Sequence, residues 1–159
     1  MKRVLWAVML MTIVSYAVAE DVTIVSDRFE ADEGKRVTKF LGHVHMKKGN
    51  DELNASRVIV HFDAKRKPIR YEAIGQTAFA IHMKTGQFYR GKADKMVYIP
   101  QKQIYEFYGH VVLKEPKMQR TVTGEKVVVE KMSGKASVQG GAHEPVKFIF
   151  KVEEKNDGR

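Results

Sequence analysis

Apolar and polar residues alternate along almost the whole chain. Phe40, Gly42, Val44 and Met46 share one face, with Lys39, His43, His45 and Lys47 opposite. Tyr105, Phe107, Gly109, Val111 and Leu113 repeat the arrangement against Glu106, His110 and Lys114. Val58, Val60 and Phe62 form a third stripe, Phe79, Ile81 and Met83 a fourth, and Val127 and Val129 a fifth; Phe148, Phe150 and Val152 make the last. A period of two belongs to strands with one buried face, and no stretch after residue 20 carries helical spacing. Turn-forming residues interrupt the stripes at Lys48-Gly49-Asn50-Asp51, Lys65-Arg66-Lys67-Pro68, Lys84-Thr85-Gly86, Pro100-Gln101-Lys102, Glu115-Pro116-Lys117 and Ser133-Gly134. The pattern predicts an all-β chain of about ten or more short antiparallel strands.

A second regularity overlies the first. A small residue, Ser/Asp/Glu, a base and an apolar residue follow one another at Ser26-Asp27-Arg28-Phe29, Ala55-Ser56-Arg57-Val58, Ala93-Asp94-Lys95-Met96 and Gly124-Glu125-Lys126-Val127. Gly42, Gly75, Gly109 and Gly140 stand 14 to 18 residues beyond the bases, so the unit recurs every 31 to 34 residues. Such a period in alternating sequence means stacked β units, none able to bury its apolar face alone. Glycine inside a strand costs roughly 0.5–1 kcal/mol relative to alanine and needs a reason. Two reasons are open: a bend or bulge where a side chain would clash, or a groove kept free for a guest.

The N-terminus changes the compartment. Lys2 and Arg3 precede an apolar run from Val4 to Ala19 ending in Ala17-Val18-Ala19, the form of a secretory signal peptide over residues 1–19. At 16 residues the run is short of the roughly 20 that span a bilayer, although retention as an anchor is the alternative. Cleavage before Glu20 leaves 140 residues and lowers the formal charge from +9 to +7. One domain, residues 20–152, is expected, with a charged tail at 153–159. The chain has no cysteine, which rules out disulfides and thiolate metal ligands. Excess base on an exported protein points to anionic lipid or polysaccharide and away from nucleic acid.

Candidate chemistry is sparse. Gly86-Gln87-Phe88-Tyr89-Arg90-Gly91-Lys92 imitates a phosphate loop, but Ala93 occupies the hydroxyl position and a strand follows where a helix is needed. His43 and His45 share a strand face without a third ligand placed by sequence, so no metal and no cofactor is assigned. No carboxylate pair or activated nucleophile stands out, and the chain does not read as an enzyme. Asn54-Ala55-Ser56 is a glycosylation sequon that also fits an ordinary strand start.

The export signal, the missing cysteine and the repeats together resemble the LptA family of periplasmic lipopolysaccharide-transport proteins, with its OstA-like domain. Ala55-Ser56-Arg57-Val58-Ile59-Val60 leading to Ile74-Gly75-Gln76 carries the resemblance, as does Ala93-Asp94-Lys95-Met96-Val97-Tyr98 leading to Phe107-Tyr108-Gly109-His110-Val111. It spans about Thr23 to Gly140, with the final glycine segment matching only in part. The resemblance implies an open, twisted β-jellyroll of stacked antiparallel repeats. It also implies end-to-end self-association, LptC-like and LptD-like β-jellyroll partners, and lipopolysaccharide, held by its lipid A, as cargo.

Exposing an acyl chain of a dozen carbons to water costs on the order of 10 kcal/mol, at about 0.8 kcal/mol per methylene. A carrier therefore needs a continuous apolar groove. Phe40, Val44, Met46, Val58, Val60, Phe62, Phe79, Ile81, Met83, Met96, Tyr98, Phe107, Val111 and Leu113 are the residues expected to line it. The same residues would also face inward in a dry core, so a structural β-repeat protein remains an alternative, as does a membrane-anchored LptC-like subunit. Unpaired edges, expected at Val22, Ile24 and Phe29 and at Val146, Phe148, Phe150 and Val152, are candidate docking strands.

Overall fold

The computed structural model describes residues 20–153; the expected leader at 1–19 and all of the tail beyond residue 153 lie outside the described residues. Ten strands follow in order: β1 (Val22–Val25), β2 (Arg28–Asp32), β3 (Val37–Lys48), β4 (Asp51–Phe62), β5 (Pro68–His82), β6 (Phe88–Ile99), β7 (Ile104–Glu115), β8 (Arg120–Glu130), β9 (Ala136–Gln139) and β10 (Lys147–Phe150). From β3 to β8 each strand pairs antiparallel with the next, as short turns at the expected breakers require.

The long strands are folded across their middles. In β3, β5 and β7 the bend falls on two successive left-handed residues, Gly42-His43 (φ 81° and 44°), Gly75-Gln76 (84° and 46°) and Gly109-His110 (75° and 47°). Pairing registers shift at those points, between Leu41 and Val44, Ile74 and Thr77, and Tyr108 and Val111. On β4 and β6 the inward side slips phase instead. Ala55 and Val58 are both buried, three residues apart, as are Ala93 and Met96. In β4 and β6 the recurring small-(Ser/Asp/Glu)-base-apolar unit is thus two inward residues around two outward ones, at the crease of the strand.

In the first three units the polar member, Asp27, Ser56 or Asp94, sits over the glycine of the neighbouring strand; the fourth departs, with Gly140 against the Glu144–Val146 backbone instead of Glu125. A Cβ on Gly75 would come within 2.9 Å of the Ser56 Cβ, and one on Gly109 within 3.0 Å of the Asp94 Cβ. Positive φ and that close approach together demand glycine. Of the two reasons left open by the sequence, the bend is the one the geometry supports. At both positions the missing side chain faces the outer, polar side of the crease, so it holds no groove open.

The crease divides the sheet into two facing halves. One half runs β2, then the β3 segment Val37–Leu41, and on to β9 against Lys126–Val129; the other runs β1, then Val44–Lys48, and on to β10 against Arg120–Thr123. The first and last edges are therefore each split: the edge expected at Val22, Ile24 and Phe29 breaks at Ser26-Asp27 into β1 and β2, and β9 shares the C-terminal end with β10. Apolar side chains from both halves meet between them, for example Phe79 stacked on Phe107 with ring centroids 4.1 Å apart. The result is an open, folded antiparallel jellyroll. Among the described residues no helix is long and apolar enough to cross a membrane.

Candidate functional site: the interior and its rims

All fourteen residues expected to line a groove turn into the space between the halves. Phe40 and Phe62 are half-buried against the core, and the other twelve are buried. Beyond the expected fourteen, the core also takes in Leu53, Ala55, Tyr71, Ala73, Ala93, Tyr105, Val127 and Val129. Val127 and Val129 already stood out as a stripe. Leu53 and Tyr71 sit on strand stretches whose phase could be read only with the crease known.

The centre is tightly filled. The void among Met46, Leu53, Phe79, Ile81 and Met96 is about 10 Å³, too small for a guest. Toward the C-terminal end the halves part. A cavity of about 380 Å³ opens there between Leu113, Val122, Val138, Val146 and Phe148, with Tyr89 in its wall. Its mouth carries exposed apolar side chains: Phe148 and Phe150 of β10 are 51% and 56% exposed with ring centroids 5.5 Å apart, and exposed Val146 lines the cavity with Phe148. At the other end Phe29 of β2 is 61% exposed and touches Phe40, with centroids 5.8 Å apart, while Val22 and Ile24 of β1 are half-buried against the core. Val146 and Val152 flank β10 and are not in it.

Opposite the crease, strand ends of both halves meet in a rim. There Asp51, the first residue of β4, is buried beneath Lys131, and the two side chains form an ion pair. Asp51 Oδ1 accepts the His82 N–H at 2.8 Å, and Oδ2 accepts the Tyr105 hydroxyl at 2.8 Å. Burial, the Asp51 charge and that hydrogen bond push the Tyr105 phenol far above its ordinary pKa, so it stays a donor. The Lys84 N–H donates to the Lys131 carbonyl at 3.1 Å and the Lys131 N–H to the Gln103 carbonyl at 3.0 Å, which laces the rim with backbone as well. In the sequence Asp51 belongs to a predicted turn and Lys131 to no motif. Nothing local marks them, because they are 80 residues apart.

On the outer surface the polar groups partner one another. His43 Nδ1 lies 2.6 Å from Asp27 Oδ2, and His110 Nδ1 lies 2.8 Å from Asp94 Oδ2. In each pair the hydrogen bond and then the carboxylate charge raise the imidazole pKa above its ordinary value. His45 is bonded instead to Asn54, the sequon asparagine, at 2.8 Å. Glu72 accepts from His61, Arg70 and Lys95 at 2.9, 3.1 and 3.0 Å. Burial alone would raise its pKa, but these three partners outweigh it and hold the carboxyl at about 2. Among the described residues no group of three or more His, Cys, Asp or Glu is placed to hold a metal ion.

A family model described as LptA/(LptD N-terminal domain) LPS transport protein matches residues 23–135. No curated protein matches the chain. Among solved structures, the fold is similar to LptH from Pseudomonas aeruginosa, described as the LptA homologous periplasmic component of the conserved lipopolysaccharide transport device. That match has a TM-score of 0.73 at 12% identity and covers 84% of this chain and 96% of that one.

Proposed function

The chain belongs to the LptA/LptD N-terminal-domain family of LPS transport proteins, and on that premise we propose that it is a periplasmic, non-catalytic lipid carrier. It takes the acyl chains of lipopolysaccharide into the space between its two half-sheets. It passes them to a neighbouring jellyroll, either a second copy or an LptC-like or LptD-like domain, stacked against its end strands. The observation that carries this reading is the apolar interior opening at the C-terminal mouth. The roughly 380 Å³ cavity is continuous with exposed Phe148 and with Val146 at an unpaired strand edge.

An isolated domain that left such an edge bare would invite aggregation, whereas a partner strand added to β10 or β1 would satisfy the backbone and extend the apolar wall. The volume is within the usual range for a small-molecule site. Loading the filled centre then requires the halves to separate at the laced rim, with the crease acting as the fixed side.

That packed centre also favours a second reading, a structural β-repeat protein with a dry core. A photoreactive residue in place of Phe148, at the mouth, and another in place of Phe79, in the centre, separate the two. Lipopolysaccharide adducts at both positions, greater at Phe148, are expected of a carrier. Absence of adducts at either position, with the protein folded, would establish the dry core.

A further inference from the structure

At the laced rim lies a pocket of about 350 Å³ whose wall includes Glu20, Lys48, Lys84, Tyr98, Gln103 and Lys131. The cations come from three separate places: the end of β3, the turn between β5 and β6, and the residue after β8. Lys131 is only 8% exposed at its side chain and Lys48 19%, so two of the ammonium groups are held in poorly solvated positions. Two carboxylates face them. Asp51 is committed, accepting from His82, Tyr105 and Lys131 at once. Glu20 is different: it precedes β1 on a stretch without regular structure, its side chain is 42% exposed, and Lys48 at 2.7 Å is its one ion-pair partner among the described residues. Lys84 makes no ion pair among the described residues.

Counting side chains alone, the charge balance of the pocket is therefore +1 with Glu20 seated and +2 with it swung out. The hydrogen bond from Lys48 and then its charge hold the Glu20 carboxyl below its usual range, with Lys84 and Lys131 adding to the effect against a small burial penalty. Glu20 thus puts an anionic oxygen where three cations converge. Clustered ammonium groups suit the several oxygens of a phosphate better than one carboxylate. The floor of the pocket is Tyr98, itself part of the apolar core, and Lys48 Nζ lies 5.6 Å from its ring centroid. The cationic site and the apolar interior therefore share a wall.

We infer that the Lys48–Lys84–Lys131 pocket binds the phosphate of an acylated amphiphile, displacing Glu20, while the acyl chains enter the adjoining interior. This rests on the reading of the interior as an acyl-chain site. Glu20 acts as a tethered competitor that keeps the pocket neutralised until a phosphate arrives. Removing one ammonium from such a site is expected to weaken phosphate binding by about fivefold, as loss of one partly solvated charge-assisted hydrogen bond does.

The test uses the purified full chain and isothermal titration calorimetry with three probes: a bis-phosphorylated acylated disaccharide in micelles, its dephosphorylated counterpart, and inorganic phosphate. Lys84→Gln, on an exposed side chain, and Lys48→Gln should each weaken the phosphorylated lipid about fivefold. Glu20→Gln should tighten it, and all three variants should leave the dephosphorylated lipid unchanged. Equal affinity for both lipids, insensitive to the variants, overturns the phosphate site and leaves the acyl-chain reading standing. Lysine-dependent binding of inorganic phosphate without lipid binding overturns the headgroup assignment in favour of a free anion. Failure of every probe to bind overturns both readings.

Discussion

Replacing Lys131 with Met tests how the two half-sheets are held together at their open side. The two side chains are close in length, so Lys131→Met removes the charge with little change in packing. It leaves Asp51 buried, with the His82 backbone N–H and the Tyr105 hydroxyl as its remaining hydrogen-bond donors and the His82 imidazole 3.6 Å away. Breaking a buried pair by removing one member typically costs 3–5 kcal/mol, because the uncompensated charge stays behind. Two surviving hydrogen bonds place this case near the low end, at about 3 kcal/mol. For a domain of this size that corresponds to a fall in Tm of roughly 10 °C.

The companion change Asp51→Asn removes the other charge while keeping the geometry. The amide oxygen can still accept the His82 N–H, and the amide nitrogen can donate to the Tyr105 oxygen in place of the lost acceptor. The double variant is therefore expected to recover at least half of the loss, a coupling of about 1.5 kcal/mol or more. Urea denaturation followed by far-UV circular dichroism at pH 7 measures each variant. A loss under about 1 kcal/mol for Lys131→Met, or simple additivity in the double variant, would refute the idea that this pair bolts the rim.

Other expectations follow from single sites. Glu72→Gln should cost about 2 kcal/mol at pH 7, a figure reduced for the partial exposure of its three partners. Because the folded carboxyl sits at about 2 and an unperturbed one at 4.5, this contribution is complete above 4.5 and lost as pH falls through 2. A deficit that persists unchanged in acid would contradict it. The His43 and His110 pairs have the opposite sign: their raised folded pKa values support the crease fully below pH 6.5, and the support fades as pH rises through those values. Proton NMR titration should place both midpoints above 6.5, with Asp27→Asn returning His43 alone to normal; unshifted midpoints would count against the pairs. Thr77 Oγ1 is buried without a hydrogen-bond partner among the described residues, so Thr77→Val should stabilise the fold by about 1 kcal/mol in thermal melts. Gly109→Ala should destabilise it by about 2 kcal/mol, from a left-handed φ of 75° and collision with Asp94; a neutral result would remove the steric account of the crease.

Alternation of side chains is a property of the extended backbone itself, so the strands, their turns and most inward residues were legible in the sequence. Phe107, Val111 and Leu113 face the core for the same local reason that they alternate with Glu106, His110 and Lys114. The repeat, too, was visible, because each crease needs the same short set of residues. Its meaning was not: that Asp94 covers Gly109, and Ser56 covers Gly75, is a relation between neighbouring strands that no single stretch contains. The splitting of the end strands and the pairing of Asp51 with Lys131 belong to the same class. They arise only when a folded sheet brings its far rims together, and burial then decides which charges must find one another. Local periodicity set which side chains point inward; closure of the two halves decided how full the interior is and where it opens.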